Sequence, residues 1–385
     1  SLNVPAVRSL RAHGVAPTVQ VLRAMGLTSI NKPAAHYGLS LIVGGAECDL
    51  WSITGAYASM GRIVRDHGSG SARNDVHAPV IIAPEAISTT TSDPPLDPGA
   101  VHFILKALRE VKRPESEGGW SFFGNAEGIS WKTGTSMGQR DAWAVGLTDR
   151  ACVGVWTGNA DGEGRPGLTG TLAAAPILFE LFHLIPRGRG FDPPFDALIH
   201  LPICRRSGFR ANPDCPQVDT LWMPKTGDRS PPCPYHQRIR VDASEQYRVT
   251  IGNDGHDAVW FVLPPAMEHY YAPGDPTYRF LPPWSDPLIA AQEDQPMELI
   301  YPETGSRVLV PVDLNGQRGS IVMEAAHRDV HSTVHWHLDG AYLGTTSGDH
   351  RLTASPPEGS HMLVLTDANG HTTSIAFEVV GGKGS

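Results

Sequence analysis

Prolines divide this chain more sharply than any other residue type in its sequence. Proline fixes its own φ angle and has no backbone N–H to donate, so closely spaced prolines exclude a long helix. Between residues 186 and 234 they occupy positions 186, 193, 194, 202, 213, 216, 224, 231, 232 and 234. We therefore expect a Pro- and Cys-rich connector over residues 186–294, with one domain before it (1–185) and another after it (295–385).

The segment before the connector shows both helical and strand patterns. Alternating polar and apolar residues predict three strands in a meander, and apolar residues at helical spacing predict several helices. The strands are expected over 129–134, 142–147 and 152–157, and the helices over 18–25, 50–60, 98–111 and 169–184. The last helix is strongly apolar, and we expect it to cover one face of the meander. The fold class expected for residues 1–185 is α+β.

The segment after the connector is typical of an all-β domain. Asp339-Gly340 and Asn369-Gly370 lie between strand pairs, where hairpin turns are expected. Short alternating strands are predicted over 307–312, 321–325, 334–338, 352–353, 361–366 and 374–380. This spacing predicts an immunoglobulin-like sandwich. Residues 246–290 carry many aromatic side chains that are costly to leave in water, so we expect this stretch to pack on a neighbouring domain.

The charge and hydropathy of the chain argue against several partners. With 31 Lys and Arg against 40 Asp and Glu, the formal net charge is −9. Nucleic acid and anionic membrane surfaces attract basic proteins, so neither is expected as the main partner. No apolar run reaches the roughly 18 residues that a membrane helix needs, and no signal-peptide pattern opens the sequence. The sequence predicts a soluble polypeptide.

The run Lys132-Thr-Gly-Thr-Ser136 is the most informative motif. A Lys-Thr-Gly triplet is one of three signatures of serine enzymes that act on D-alanyl peptides or β-lactams. On an edge strand, Lys132 would place a positive charge beside a substrate carboxylate, and the Thr133 and Thr135 hydroxyls would add hydrogen bonds. Gly134 would leave room for a substrate close to the backbone.

The second signature, S-x-N, is matched where the chain begins. Ser1-Leu-Asn3 fits it, and about 130 residues separate it from Lys132, as in a transpeptidase. A second Lys-Thr-Gly, at residues 225–227, directly follows Pro224 and precedes further prolines. Prolines at these positions exclude a central strand, so we interpret that copy as a turn without function.

The third signature, S-x-x-K, is matched only by Ser29-Ile-Asn-Lys32. It follows the S-x-N element, whereas a catalytic copy would precede it. Pro33 comes directly after Lys32, so Ser29 and Lys32 cannot lie on one turn of a helix that continues beyond them. We interpret this match as a loop.

Several longer runs carry a family resemblance. They are residues 1–7, 37–47, 131–136, 140–146 and 158–170. Together they resemble the bifunctional (class A) penicillin-binding proteins, most closely those of the 1C type, and the resemblance covers essentially the whole chain. The stretch 204–236 and the module from about residue 295 are similar to that subfamily's C-terminal extension. The resemblance implies the C-terminal part of a transpeptidase domain with a β-lactamase-like fold, followed by that extension.

The resemblance also implies acyl transfer without a cofactor. A serine upstream of this chain would attack a D-alanyl-D-alanine stem peptide or a β-lactam, and an amine from a second stem peptide would resolve the acyl-enzyme. The glycosyltransferase domain and the N-terminal membrane anchor of the family would also lie upstream. The implied location is the periplasmic side of the bacterial inner membrane.

The same resemblance assigns roles to residues of this chain. Ser1 would relay a proton, and Asn3 would hold an amide or carbonyl group of the substrate. The N–H of Thr135 would form half of the oxyanion hole. The catalytic residues implied are Ser1, Asn3, Lys132 and Thr135, and the substrate-binding residues are Lys132, Thr133, Gly134, Thr135 and Ser136.

Other functions and partners remain open at this point. The alternatives are a D,D-carboxypeptidase or β-lactamase on the same fold, and a non-catalytic fragment that binds peptidoglycan or protein. About 200 residues beyond the first domain disfavour a stand-alone hydrolase. The resemblance adds an α2-macroglobulin-like periplasmic protein as an expected partner of the C-terminal module.

Four residues of the connector have metal-ligand chemistry. Cys204, Cys215 and Cys233 cluster there, and His236 follows Cys233 at the spacing of a metal knuckle. A Cys₃His zinc site is one interpretation. A disulfide between two of the three cysteines is the other, since the implied compartment is oxidising. Either would stabilise a segment with a small core.

Overall fold

A computed structural model of the protein describes residues 2–68, 75–82, 94–109, 128–186, 188–286, 288–290, 295–310 and 319–381. Contacts divide the chain into two compact units, Ser1–Leu201 with Thr220–Ser230, and Pro202–Asp219 with Pro231–Ser385. The first unit combines helices with a small sheet, and the second consists mainly of strands. The fold is therefore mixed α/β. The division into residues 1–185, 186–294 and 295–385 stays a prediction.

The first unit has the helices and the meander that the sequence predicts. Its α-helices are α1 (Asn3–His13), α2 (Val15–Ala24), α3 (Ala34–Tyr37), α4 (Leu50–Arg65), α5 (Pro98–Arg109) and α6 (Ala175–Leu184). Its meander consists of β1 (Ser130–Thr135), β2 (Asp141–Leu147) and β3 (Cys152–Gly158). A π-helical turn, Gly170–Ala174, leads into α6. Residues 110 and 111 of the predicted 98–111 helix lie outside the described residues.

The meander has helices on both faces. Its strands are antiparallel in the order β1-β2-β3. On one face, Ala142 and Ala144 share a buried core with Leu178 and Phe179 of α6. This confirms that the apolar helix covers the sheet. On the other face, α5 contacts β1, and α4 contacts β2 and β3.

The connector contains short strands and no long helix in its described part. Two two-stranded sheets form there, from β4 (Leu198–Cys204) with β5 (Val218–Pro224), and β6 (His236–Val241) with β7 (His256–Phe261). Between residues 186 and 234, the longest described helix is the five-residue 3₁₀ helix Lys225–Arg229. The exclusion of long helices by proline is confirmed.

The C-terminal part of the second unit has two sheets around one apolar core. One sheet has the order β13-β10-β8, and the other has the order β12-β11-β14-β15-β9. Trp336, Met323, Leu363 and Leu365 are fully buried in the core they share. The strands are β8 (Met297–Tyr301), β9 (Arg307–Val310), β10 (Ile321–His327), β11 (Thr333–Leu338), β12 (Ala341–Ser347), β13 (Arg351–Ala354), β14 (Gly359–Asp367) and β15 (Thr372–Gly381).

The six strands predicted after residue 306 correspond to observed strands, and two strands of this part of the chain, β8 and β12, were missed. Residues 311 and 312 of the predicted 307–312 strand lie outside the described residues. Both predicted hairpins are confirmed, and Asp339 and Gly340 adopt the positive φ angles, 51° and 82°, of the favoured two-residue turn. The sequence prediction missed β12, because it is exposed along most of its length and has no apolar alternation.

The aromatic stretch 246–290 packs on a neighbour, as predicted. Its helix α7 (Pro265–Tyr271) contacts β8 and β10. Arg328 forms a 2.6 Å ion pair with the buried Glu268. The Tyr270 hydroxyl donates a 3.1 Å hydrogen bond to Glu324.

Within the part of the chain that the structure describes, no helix combines the length and the apolarity needed to cross a lipid bilayer.

Candidate functional site

The Lys-Thr-Gly triplet lies on β1, an outer strand of the meander. In the described residues, β2 is the only strand that pairs with it. Two successive side chains anchor β1 on its two faces. The Ser130 hydroxyl donates a 2.7 Å hydrogen bond to Leu105 O of α5. The ring of Trp131 packs on that of Phe179 of α6, with 4.8 Å between the ring centroids. Side chains alternate along a strand, so Lys132 lies on the α5 face and Thr133 on the α6 face.

The register of β1 determines which backbone groups face outward. The N–H of Ser136 donates a 3.0 Å hydrogen bond to Asp141 O, so these residues form a hydrogen-bonded pair. Such pairs alternate along an antiparallel ladder, and Lys132 and Gly134 therefore direct their backbone groups toward β2. The backbone groups of Thr133 and Thr135 are directed to the opposite, outer edge.

Lys132 brings its charge to this outer edge. Its side chain is half-buried, and its ammonium group donates a hydrogen bond to the carbonyl oxygen of Thr133. Because that carbonyl is directed outward, the positive charge lies beside the open backbone of β1. This position suits a ligand carboxylate that binds along the strand.

Thr135 is held by the loop that precedes α6. Its hydroxyl accepts a 3.0 Å hydrogen bond from the N–H of Gly170. A hydroxyl has one donor and two acceptor sites, so this bond fixes the oxygen and leaves the proton available to a ligand. Ser136 has a more local role, since its hydroxyl accepts a 2.8 Å hydrogen bond from the N–H of Asp141 and closes the β1–β2 turn.

The two glycines of the site, Gly134 and Gly170, are required for different reasons. A Cβ at Gly134 would lie 3.6 Å from the Cβ of Trp143, an ordinary contact, and its backbone is not in the left-handed region. Among the described residues, neither packing nor backbone strain explains that glycine. A Cβ at Gly170 would lie 2.5 Å from the carbonyl oxygens of both Gly134 and Trp143. Gly170 ends the run 158–170 that carries the family resemblance, and no local pattern in the sequence indicates this contact.

The S-x-N element is only partly described. Ser1 lies outside the described residues. Asn3 is exposed at the start of α1, a helix that packs on α2 and on the 3₁₀ helix Gly38–Val43. That Ser1, Asn3 and Lys132 contact the same substrate molecule remains a prediction.

The two other motif matches lie outside strands, as predicted. Ser29 and Lys32 lie outside helices, and the Ser29 hydroxyl donates a 2.9 Å hydrogen bond to Glu47 O. Residues 225–227 begin the 3₁₀ helix Lys225–Arg229 and are not part of a strand. The interpretation of Ser29 and Lys32 as loop residues is confirmed. At residues 225–227 the exclusion of a strand is confirmed, but these residues begin a short 3₁₀ helix where a turn was predicted.

A second candidate site lies in the connector. The side-chain ligand atoms of Cys204, Cys215, Cys233 and His236 all lie within 4.8 Å of one another. The Nδ1 atom of His236 is 3.4 Å from Cys204 Sγ and 3.5 Å from Cys233 Sγ. All three cysteines are free thiols in the structure. The structure thus brings together all four residues that the sequence marked.

Hydrogen-bond donors surround these sulfur atoms. The Ser207 hydroxyl lies 3.2 Å from Cys233 Sγ, and the N–H of Asn212 lies 3.3 Å from Cys215 Sγ. Burial raises the pKa of the Cys204 thiol, but hydrogen bonds from Ser207, Arg206 and Cys215 together outweigh this and lower that pKa overall. Burial, and then the nearby Arg206 cation, lower the pKa of His236, so its imidazole is neutral at pH 7.

Cys48 and Cys152 lie apart from this cluster. Both are free thiols and are half-buried. Burial raises the pKa of Cys152 to about 12, which disfavours its thiolate.

The sequence comparisons match penicillin-binding proteins. Residues 286–377 match the model of the Penicillin-Binding Protein C-terminus Family. The chain is 33% identical over 186 residues to penicillin-binding protein 1C of Escherichia coli (strain K12), covering 48% of this chain and 22% of that protein. It is 28% identical over 204 residues to penicillin-binding protein 1A of Neisseria meningitidis serogroup A, covering 49% of this chain and 24% of that protein. The alignments thus span less than a quarter of each of these relatives.

Among solved structures, the chain is similar to penicillin-binding protein 1A from Haemophilus influenzae. That match has a TM-score of 0.39 at 14% sequence identity and covers 60% of this chain and 39% of the other.

Proposed function

Because this chain belongs to the penicillin-binding proteins, as its sequence resemblance indicated, we propose that it forms the substrate-binding wall of a peptidoglycan D,D-transpeptidase site. The upstream part of the transpeptidase domain supplies the acylated serine. The observation that carries this proposal is the Lys-Thr-Gly triplet on the outer edge of β1. The protein acts on the periplasmic side of the bacterial inner membrane, within the cell-wall synthesis that its family performs.

The edge of β1 supports binding of an extended stem peptide. A peptide beside β1 would pair with the outward backbone groups of Thr133 and Thr135 as an added strand. Its terminal carboxylate would meet the ammonium group of Lys132 in a charge-assisted hydrogen bond. The space at Gly134 would let the peptide approach the backbone closely.

The N–H of Thr135 suits a role in the oxyanion hole. It is directed outward by the register, and the residue is fixed by the hydrogen bond from Gly170. A preorganised N–H donor of this kind stabilises the oxyanion of the tetrahedral intermediate by about 3–4 kcal/mol in acyl-transfer enzymes. The second donor would come from the backbone of the upstream serine.

The test uses the protein extended upstream through its S-x-x-K serine. Lys132→Ala should slow acylation by a labelled penicillin roughly 10²–10³-fold, because the carboxylate loses its cation. Lys225→Ala is the matched control, since it removes the lysine of the second Lys-Thr-Gly, and it should acylate at the wild-type rate. Equal rates for Lys132→Ala and the wild type would refute the proposal.

A second assay separates cross-linking from hydrolysis. The acylated protein would be supplied with a D-alanyl-D-alanine peptide and an amine acceptor, and the products identified by mass spectrometry. Transfer to the amine supports a transpeptidase. Exclusive release of the free acid would instead assign a D,D-carboxypeptidase or β-lactamase.

For the C-terminal module, we propose an immunoglobulin-like interaction domain. The support is its two sheets around one core and its match, over residues 286–377, to the C-terminus family. The expected partner is an α2-macroglobulin-like periplasmic protein. Deletion of residues 295–385 should preserve penicillin acylation and abolish capture of that partner, whereas loss of acylation by a folded protein would contradict this role.

A further inference from the structure

We propose that Cys204, Cys215, Cys233 and His236 bind one structural Zn²⁺ ion. The four ligand atoms come from two separate stretches of the second unit, 202–219 and 231–241, and lie within 4.8 Å of one another. Three thiolates and one imidazole are a preferred ligand set for structural zinc, and four protein ligands leave no coordination position for a substrate.

The distances to His236 agree with a central metal ion. Zinc binds sulfur at about 2.3 Å and nitrogen at about 2.0–2.1 Å, so sulfur and nitrogen ligands of a tetrahedral ion are about 3.5 Å apart. In the structure, His236 Nδ1 lies 3.4 Å from Cys204 Sγ and 3.5 Å from Cys233 Sγ. One N–H group can point at only one of the two sulfur atoms. A ring nitrogen at this distance from both is therefore explained better by a metal ion that all three atoms bind.

The surroundings of the sulfur atoms also suit a metal-thiolate site. The contacts of Ser207 with Cys233 and of Asn212 with Cys215 place donors where they would stabilise thiolate charge. The amide group of Asn212 also donates to the carbonyl oxygens of Cys233, at 2.7 Å, and His236, at 2.9 Å. Asn212 therefore positions two ligand-bearing segments relative to each other.

The segment around the site has little apolar core to stabilise it. Its buried cluster consists of Phe261, Leu263 and Tyr278, with three partly buried neighbours. A metal ion that joins ligands 32 residues apart, as Cys204 and His236 are, would restrict the unfolded chain and stabilise this small module. A disulfide between two of the cysteines would also crosslink the module, but it would leave the third thiol and the imidazole without a role.

Metal content is the direct test. The 385-residue chain would be expressed with zinc present, purified without reductant or chelator, and its zinc measured by elemental mass spectrometry. We expect one zinc per chain, together with five free thiols after unfolding in chelator, because no cysteine would be oxidised. Replacement of zinc by Co²⁺ should give the absorption bands of tetrahedral cobalt-thiolate coordination.

Substitutions locate the site. Cys215→Ala should reduce bound zinc at least tenfold and lower the thermal unfolding temperature, while Cys48→Ala, the matched control, should retain one zinc. If Cys215→Ala does not fold, chelation of the wild-type protein provides the same information, since it should expose three additional reactive thiols. A disulfide linking any two of Cys204, Cys215 and Cys233, or zinc retained equally by Cys215→Ala, would overturn the proposal.

Discussion

The N–H of Gly170 donates a 3.0 Å hydrogen bond to the hydroxyl oxygen of Thr135, and so joins two residues 35 positions apart. The contact leaves no space for a side chain at residue 170, because a Cβ there would clash with the carbonyl oxygens of Gly134 and Trp143. The loop before α6 therefore supports the end of β1 from the α6 face. The outer edge of β1 remains directed away from this contact.

Gly134→Ala should impair substrate binding without impairing folding. The added Cβ meets only an ordinary contact with Trp143, so the free energy of unfolding should stay within about 1 kcal/mol of the wild type. Because a stem peptide would lie against this position, penicillin acylation of the upstream-extended protein should fall roughly 10²-fold. Urea unfolding and acylation kinetics on the same samples give both readouts. Normal acylation would show that no ligand approaches Gly134.

Gly170→Ala should impair folding first. The new Cβ would have to displace backbone carbonyls, which are rigid, so we expect a loss of roughly 1–3 kcal/mol in the free energy of unfolding. Urea unfolding monitored by tryptophan fluorescence measures this loss. A variant as stable as the wild type would mean that the loop moves away from β1 at no cost, and the support described for Thr135 would then be wrong.

The sequence predicted the local features of the site and missed its long-range contacts. The alternation around Lys132 was enough to place a strand, and the prolines near residue 225 were enough to exclude one there. The pairing of Thr135 with Gly170 depends on how α6 packs under the sheet, and no local pattern encodes that packing. The position of β12 is determined by the Asp339-Gly340 turn and by pairing with β11. β12 was missed because most of its side chains are exposed, so burial leaves no apolar alternation in its sequence.

For the cysteine cluster, too, the sequence predicted the local spacing and not the long-range contacts. The spacing of Cys233 and His236 marked two ligands of one knuckle from the sequence alone. Whether Cys204 and Cys215 lie close to the same His236 ring depends on how residues 202–219 fold against residues 231–241. Spacing could not decide between a disulfide and zinc, because both need only that the sulfur atoms come close.

Asp367→Asn should destabilise the C-terminal module. The Asp367 carboxylate is buried. Its Oδ1 atom accepts hydrogen bonds from the backbone N–H groups of Asn369 and His371, and its Oδ2 atom lies 2.8 Å from His371 Nδ1 and 3.2 Å from His327 Nε2. The amide would place an N–H₂ group among donors, so we expect a loss of roughly 2–4 kcal/mol in the free energy of unfolding. Asp349→Asn is the control, since that side chain is 73% exposed, and its stability should change by less than about 0.5 kcal/mol.

The same carboxylate should make stability depend on acid pH. Burial opposes the charged form of Asp367, but hydrogen bonds from His371 and His327 hold its pKa below the ordinary value. A lowered folded pKa gives stabilisation that is present above about pH 4, the unfolded value, and is lost as pH falls through the folded value. Urea midpoints measured from pH 6 to pH 3 should fall more steeply for the wild type than for Asp367→Asn. Parallel curves would contradict this assignment.

His361 should give the opposite pH dependence. Its buried ring places Nδ1 2.7 Å from Asp339 Oδ2 and Nε2 2.8 Å from Pro357 O, so both nitrogens face acceptors. Burial works against the charged form, but these hydrogen bonds outweigh it and raise the pKa of His361. The raised folded pKa stabilises the domain fully below about pH 6.5, the unfolded value, and this contribution is lost as pH rises through the folded value.

This dependence can be measured by unfolding and by titration. The wild type should be more stable at pH 6 than at pH 8, and His361→Gln should lose most of this difference. His337→Gln on β11, whose ring lies 5.4 Å from that of Tyr342, is the control and should keep it. A titration of the His361 ring by NMR with a midpoint at or below about 6.5 would show that the ion pair with Asp339 does not hold the proton in the folded state, and the predicted pH dependence would then be absent.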